Sequence, residues 1–554
     1  MTILNVKRVE RFGWFLVALL IAYWAVFVAV APVTTSDSHI YNLARLLIAE
    51  RGGLFHNPLW TNTHQVVFPW GFDAVYYPFL KIGRFENLPA FVCLIGSFLC
   101  VAILFRRGGV PGATPLGILA LLSSPLVVFQ ATCAKNDIAV AFFALSAFTM
   151  IELSRDGRSM AWDLGIAISL GMLAGAKTSG IIPAAILSFY ALGLRWQLKG
   201  KLGALRLAAV IFPSMLLLGS VETYLNNYLI YGRATGDVIF INGHRNIDGV
   251  QGALANLVRY FFNSLATGLE GPALIRGYRE DLWRLSDSFL GWLSLDGKGM
   301  APNSSEKIFL LGCHECASSY GIAGLAAIPL AAAAVFTSGV RSIAGRLALL
   351  GWILLAVACI TIGWQKFIMR LILASAMPLM IAATIQAYPF LLRRVITLLL
   401  VQSGFFLLAV MVPLCSWNRG PRCVVAAMKN PYTDWIQEGK IRENIEGLDA
   451  AINLSHNKSA SMAVILGPDD GALPFLKSRR AHWEVIPNPG GKKSLDKEYL
   501  EGFLGTTDPE SWIILAVGHN WDISLPKEAE LLWSKEQCGK VYLFKPSWRE
   551  VSGD

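Results

Sequence analysis

Long apolar runs joined by short, basic connections fill most of this chain, and they are its first message. The run from Gly13 to Val30 is long enough to cross a bilayer as a helix. Lys7, Arg8 and Arg11 precede it, so the positive-inside rule places the N-terminus in the cytoplasm. A loop spanning 32–87 follows on the outer side. Within it Phe68 to Leu80, with Trp70, Tyr76 and Tyr77, reads as an interfacial segment with aromatic anchors. A second helix, Leu88 to Phe105, returns to Arg106-Arg107, and a third, about Ala113 to Ala131, leads out to Lys135-Asn136-Asp137.

The same alternation continues. Helix four returns to Arg155 and Arg158, helix five leads out to Gly175-Ala176-Lys177-Thr178, and helix six returns to Arg195, Lys199, Lys201 and Arg206. Helix seven rises to about Val221 and opens a long outer loop, 222–320, of the kind that carries function. Helix eight falls to Arg341 and Arg346, nine rises to Trp364-Gln365-Lys366, ten falls from Arg370 to Arg393-Arg394, and eleven rises to Leu414. About eleven crossings therefore leave everything from Cys415 outside. No internal repeat is visible, which argues against repeat-built transporters.

The segment 415–554 changes pattern. Met462 to Gly467, Trp483 to Ile486, Trp512 to Val517 and Lys540 to Phe544 are short apolar or aromatic strand candidates, separated by stretches of helical composition. They predict a small extracytoplasmic α/β domain. Leu466-Gly467-Pro468-Asp469-Asp470-Gly471 is a strand-to-loop junction without the spacing of a phosphate-binding loop, so a structural or acceptor-docking role suits the domain better than a second active site.

Composition supports this division. Of 554 residues 54% are hydrophobic and 16% charged, too apolar for a water-soluble globule; the mean hydropathy is +0.50. The net charge of +10 lies mostly in the connections, where it sets topology and forms no nucleic-acid patch. The first run is long for a signal-peptide core and lacks a small-residue cleavage site before Asp37, so it reads as a retained helix. Nine cysteines make no disulfide framework in so long a chain. Cys313 with Cys316, and Cys415 with Cys423, are candidate disulfides or free thiols, with a metal site as the rival reading of Cys-His-Glu-Cys; Cys93, Cys100 and Cys359 read as packing residues.

The chemistry centres on Thr34 to Arg45. Ser36 can cap a helix with Asp37 in its first turn, where the helix dipole favours a carboxylate. Asp37, Tyr41 and Arg45 share one face, and Ile40, Leu43, Leu46 and Leu47 fill the other, as in a helix lying in the membrane interface. An amphipathic connector whose Asp is only a cap fits the same spacing. Asp37, Lys135, Asp137, Lys177, Lys366 and Arg370 all fall near outer ends of helices. Singly each suits a solvated or snorkelling charge. Gathered together, a carboxylate can take a proton or hold a divalent cation, Mg²⁺ or Mn²⁺, while the cations hold a phosphate.

These residues resemble the GT-C superfamily of integral-membrane glycosyltransferases, in particular bacterial members similar to protein O-mannosyltransferases and aminoarabinose transferases. The likeness rests on Ser36-Asp37-Ser38-His39-Ile40-Tyr41-Asn42-Leu43-Ala44-Arg45, on Ala134-Lys135-Asn136-Asp137, on Gly175-Ala176-Lys177-Thr178, and on Met369-Arg370-Leu371-Ile372-Leu373 with Pro378. It covers most of 1–414, and departs from the family pattern at Asn42, where His is expected, and at Leu371, where an aromatic residue is common. The resemblance implies a catalytic or metal-binding Asp37 supported by Asp137, with Lys135, Lys177 and Arg370 on a lipid phosphate. Tyr41, Arg45 and Lys366 join them as candidate donor contacts.

The expectation is therefore an inverting glycosyltransferase of a bacterial inner membrane. It would move a sugar from a polyprenyl-phosphate donor to a glycan, lipid or protein acceptor on the outer face, without a covalent intermediate. A lipid-glycan ligase or polymerase would instead depend on outer-loop residues such as Arg233, His244 and Arg245. A transporter or flippase of lipid-linked sugars would place charges near the bilayer midplane, whereas here they stand chiefly at the ends of the runs.

Overall fold

The computed structural model describes residues 3–31, 33, 35, 37–53, 55, 57, 59–60, 62–156, 160–264, 276–302, 320–365, 368–388, 439–458, 460–466, 483–488, 494–504, 511–516, 523–535 and 539–545. The chain is a multi-pass membrane protein with a C-terminal sheet domain. Among the described residues, four helices are long and apolar enough to cross a membrane, and a bent pair makes a fifth candidate. The count of eleven stays an expectation, because the last span up to Leu414 lies outside the described residues.

Helix α1 (Ile3–Val30) gives way to a π-helical turn, Ser38–Asn42, and then to α2 (Ala44–Gly52). Short helices α3 (Thr63–Val67) and α4 (Asp73–Ile82) complete this connection. Helix α5 (Leu88–Arg107) is the next span, and the Asn87 amide fastens its start by donating to the Ala31 carbonyl, 3.0 Å away. Ser36 lies outside the described residues, and the Asp37 side chain makes no capping bond to the turn that follows it.

The expected interfacial helix is a buried one. Residues Ala44 to Ile48 are all buried, Arg45 to 2% exposure, and of the polar residues of α2 only Glu50 and Arg51 at its C-terminal end meet water. The reason lies in α4: Asp73 supplies Arg45 with a buried counter-charge, and the carbonyls of Phe68 and Pro69 accept from its guanidinium at 2.7 and 2.8 Å. The sequence pattern shows that Arg45 is polar but cannot show that a partner removes the need for water.

The expected third span is broken. Helix α6 (Thr114–Leu122) and α7 (Pro125–Ala131) meet at 78°. Pro125 lacks an N–H and stands in the first turn of α7, so the helix cannot continue through Ser123-Ser124 and restarts in a new direction. Both pieces are wholly buried. The break turns α7 toward the connection that carries Lys135 into α8 (Asp137–Leu153).

Helix α9 (Met160–Ala176) packs against both arms of α10 (Ile181–Leu218). Arg195 pairs with Asp163 at one end of α9, while Leu218 lies against Gly175 at the other. The chain therefore reverses within α10, at Gly200, whose φ of 69° suits glycine. This single α10 is the sixth and seventh runs of the sequence pattern, and their basic connection is its bend.

Helices α11 (Val221–Tyr231), α12 (Val238–His244), α13 (Gly249–Ser264) and α14 (Arg276–Trp292) make up the described part of the long loop. Helices α15 (Gly321–Ala333), α16 (Ile343–Thr361), the short α17 (Ile368–Leu371) and α18 (Leu373–Tyr388) are the remaining described helices of the bundle.

In the tail, α19 (Gly439–Lys458) and α20 (Lys497–Leu504) flank a five-stranded sheet. Its strands are β1 (Ser461–Leu466), β2 (Trp483–Pro487), β3 (Trp512–Ala516), β4 (Ala529–Lys535) and β5 (Gly539–Phe544), in the order β2-β1-β3-β5-β4. Strand β1 pairs parallel with β2 and β3, and β5 pairs antiparallel with β3 and β4. Strand β4 is the one the sequence pattern omits. It is an edge strand with few buried positions, so little apolar alternation marks it. Arg51 at the end of α2 lies 4.0 Å from the centre of the Trp483 ring and 2.6 Å from Glu484, joining the tail to the first connection.

Candidate functional site

Three motifs far apart in sequence meet at the break after α1. Ser38 in the π-helical turn donates to the Ala134 carbonyl at 2.7 Å, and Tyr76 of α4 donates to the Lys135 carbonyl at 2.9 Å. These two bonds hold the segment before α8 against the first connection. As a result the Lys135 ammonium stands 3.1 Å from the Asp37 carboxylate. A π-helical turn widens the backbone by one residue, which re-aims side chains and is common at functional sites.

Arg370 approaches the same carboxylate from α17 and binds it. Its backbone is fixed in part by Tyr320, whose hydroxyl donates to the Met369 carbonyl at 2.6 Å. Asp37 keeps 22% of its side chain exposed, whereas Lys135 is exposed to only 2%. Burial by itself would raise the Asp37 pKa. The Arg370 and Lys135 charges outweigh it and hold the carboxyl well below its usual range.

Asp137 opens α8 and Lys177 sits between α9 and α10, with 2.7 Å between ammonium and carboxylate. Burial lowers the Lys177 pKa and Arg370 adds to this, while the Asp137 charge opposes it. Asn136, between the two pairs, donates to Asp73 at 2.5 Å and to the Ala176 carbonyl at 3.0 Å. Glycine at 175 lets the end of α9 lie close against the end of α10: a Cβ there would be 1.9 Å from the Leu218 carbonyl oxygen.

A narrow cleft opens here, lined by Tyr41, Arg45, Phe68, Lys135, Asp137 and Lys177, among others. Of the residues singled out in the sequence, the structure thus gathers Asp37, Tyr41, Arg45, Lys135, Asp137, Lys177 and Arg370 at one place. Arg45 lines the cleft with its charge already matched by Asp73. Lys366 lies outside the described residues, as do Cys313, Cys316, Cys415 and Cys423. Cys93, Cys100 and Cys359 are buried free thiols.

Sequence reasoning passed over two members of the site. Asp73 anchors Arg45, Asn42 and Asn136 together. Its signal was a lone carboxylate between Phe72 and Tyr76, where an interfacial segment needs no charge. His64 stacks on Tyr41 with ring centres 5.1 Å apart and meets Phe240 of α12 edge-on at 4.6 Å. That aromatic group ties the first connection to the long loop above the site.

The residues thought able to hold a divalent cation do not fit one as arranged. Among the described residues no three His, Cys, Asp or Glu side chains cluster to hold a metal ion. The carboxylates of Asp37 and Asp137 are each engaged by ammonium or guanidinium groups. The residues that the ligase reading favoured stand differently: Arg233 and Arg245 are exposed, and His244 bonds through Nδ1 to the Phe240 carbonyl at 2.8 Å.

No family model matches the sequence. No curated protein matches it either. Among solved structures, ArnT from Cupriavidus metallidurans bound to undecaprenyl phosphate is similar with a TM-score of 0.55 and 14% identity, over 96% of this chain and 98% of that one. The Archaeoglobus fulgidus oligosaccharyltransferase in complex with Zn and sulfate aligns with a TM-score of 0.41 and 14% identity, over 90% of this chain and 67% of that one. The first of these shows a likeness in fold.

Proposed function

We propose that this chain, which carries the GT-C glycosyltransferase fold, transfers a sugar from a polyprenyl-phosphate donor to a glycan, lipid or protein acceptor on the outer face of a bacterial inner membrane. The observation that carries the reading is Asp37 held between Lys135 and Arg370, beside the cleft that contains Asp137 and Lys177. ArnT, the solved structure of similar fold, was crystallised with a polyprenyl phosphate, which supports the donor class.

In this reading the pairing of Asp37 is a resting arrangement. A carboxylate under two cations is a poor base, because protonation means giving up both attractions. A donor phosphate entering the cleft competes for Lys135 and Arg370. As they turn to it, Asp37 loses counter-charge and its proton affinity rises, so base strength and donor binding are coupled.

Asp37 then accepts the proton of the acceptor hydroxyl. The acceptor oxygen bonds to the anomeric carbon as that carbon's bond to the phosphate oxygen breaks, and the electron pair leaves with the polyprenyl phosphate. Arg370, Lys135 and Lys177 oppose the charge that develops there. Asp137 holds Lys177 in place and its charge opposes the lowering of the Lys177 pKa by burial. Single displacement inverts the sugar configuration.

The test is transfer by purified Asp37→Asn and Asp137→Asn with a defined polyprenyl-phosphate sugar, with donor binding measured separately. Asn fills nearly the same volume but lacks a basic oxygen. Asp37→Asn should lower turnover by about 10² to 10⁴-fold with donor binding kept. Asp137→Asn should weaken donor binding through Lys177. Wild-type turnover by Asp37→Asn would remove the reading's main support.

A further inference from the structure

A second charged site lies at the opposite end of the helical bundle. From Asp137 to Glu152 helix α8 climbs about 22 Å at its usual rise per residue. Glu152 is fully buried, and Arg346 of α16 grips it with two bonds of 3.0 and 2.6 Å. Tyr190 donates to it at 2.7 Å, and Arg155 lies 3.2 Å away. This network locks α8, α10 and α16 together and fixes the guanidinium of Arg346 at the wall of a cleft.

That cleft has a volume of about 400 Å³ and is lined by Arg107, Arg341 and Arg346 together with Ser338, Ser342 and Gln386. Among the described residues, three arginines and no carboxylate line it. Arg346 is neutralised by Glu152, and Arg107 pairs at 2.7 Å with Asp156, which is itself largely exposed. Arg341 is exposed and meets no carboxylate among the described residues. Among the described residues the cleft therefore carries uncompensated positive charge at Arg341, while Ser338 and Gln386 bond to each other and Ser342 donates to the Gly339 carbonyl.

Phe336 and Val340, two residues either side of the lining residue Ser338 in the chain, are 86% and 56% exposed. A soluble anion has no use for exposed apolar residues on the neighbouring segment, whereas a lipid with its headgroup in the arginine-lined cleft can lay its chains on them. Basic clefts between membrane helices at the positively charged face of a bundle suit anionic headgroups. By the positive-inside rule, this end faces the cytoplasm.

We infer that this cleft binds the phosphate group of an anionic phospholipid of the inner leaflet, a site separate from the donor cleft and independent of the proposed transferase reaction. The occupant's chemistry is a phosphate oxyanion. A membrane lipid and free phosphate both offer it, and the exposed Phe336 and Val340 on the segment that supplies Ser338 favour the lipid.

The test uses the full-length protein in nanodiscs of phosphatidylcholine with or without phosphatidylglycerol, followed by native mass spectrometry of the retained lipid and by thermal unfolding. Wild type should keep phosphatidylglycerol through detergent exchange and unfold at higher temperature with it than with phosphatidylcholine alone. Arg341→Gln, and the double variant with Arg107→Gln, should lose both effects, while Arg341→Lys should keep them. A parallel arm adds millimolar inorganic phosphate in phosphatidylcholine. Stabilisation by phosphate equal to that by the lipid, and lost in Arg341→Gln, would assign the same site to free phosphate and overturn the lipid. Equal retention of phosphatidylglycerol by wild type and Arg341→Gln would overturn the site altogether.

Discussion

Arg370 binds the carboxylate of Asp37 across 333 residues of sequence. The contact joins the start of a late helix to the connection after the first one, so it ties together the two ends of the described helical bundle. Lys135 completes the arrangement from a third element. A carboxylate with two cations is one charge short of neutral, which suits a site that is to receive an anion.

Neutralising either cation tests that view. Arg370→Gln and Lys135→Gln should each weaken binding of a polyprenyl-phosphate sugar, and raise the apparent KM or lower kcat, by an amount equivalent to a few kcal/mol for a phosphate contact shielded from water. Titration of donor binding by fluorescence or calorimetry checks it. Unchanged kinetics and binding in both variants would end the phosphate-site proposal.

The buried Asp137–Lys177 pair makes a different prediction. Removing one partner of a buried ion pair leaves the other charge uncompensated, at a cost of about 3–5 kcal/mol. Lys177→Met should therefore destabilise the protein, and Lys177→Met combined with Asp137→Leu should recover much of that loss without recovering activity. Thermal unfolding alongside transfer assays separates the two effects. Equal activity in wild type and the double variant would remove both residues from the site.

Gly175 should tolerate no side chain. Its Cβ would fall 1.9 Å from a backbone oxygen of Leu218, so Gly175→Ala must separate α9 from α10 and displace Lys177 nearby. A loss of about 1–3 kcal/mol is expected, with weakened donor binding. Gly193→Ala, a position with open space around it, serves as the control and should behave as wild type.

His39 should give the fold an acid sensitivity. Its ring is buried, with Nε2 2.8 Å from the Val33 carbonyl, and burial lowers its pKa to about 4 although that bond acts in the other direction. The unfolded chain binds the proton near pH 6.5 and the folded one only near 4. The contribution is therefore complete above pH 6.5 and is lost as pH falls from there toward 4, with a ceiling of about 3 kcal/mol. Unfolding of wild type and His39→Gln from pH 7.5 to 4.5 should show a steeper fall in wild type.

The sequence by itself determined the class of protein and where its charges stand. Runs of apolar residues must be helices in a bilayer, because no other local structure satisfies the backbone there. The boundaries of those runs therefore placed Asp37, Lys135, Asp137, Lys177 and Arg370 at helix ends before any contact was known. Apolar segments bounded by turn residues marked β1, β2, β3 and β5 in the same way.

Only the tertiary structure decided which charge meets which. Lys135 belongs to the same motif as Asp137 yet pairs with Asp37, while Asp137 takes Lys177. Arg45, a candidate donor contact in the sequence, is matched by an Asp73 that no periodicity marked. The bend at Gly200 and the break before Pro125 set the directions of α10 and α7, and with them the approach of α9 and of Lys135 to the site. Hydrophobicity is a property of each residue and is readable along the chain. An ion pair depends on the distance between two residues, and in a helical bundle that distance is set by packing between segments with no relation in sequence.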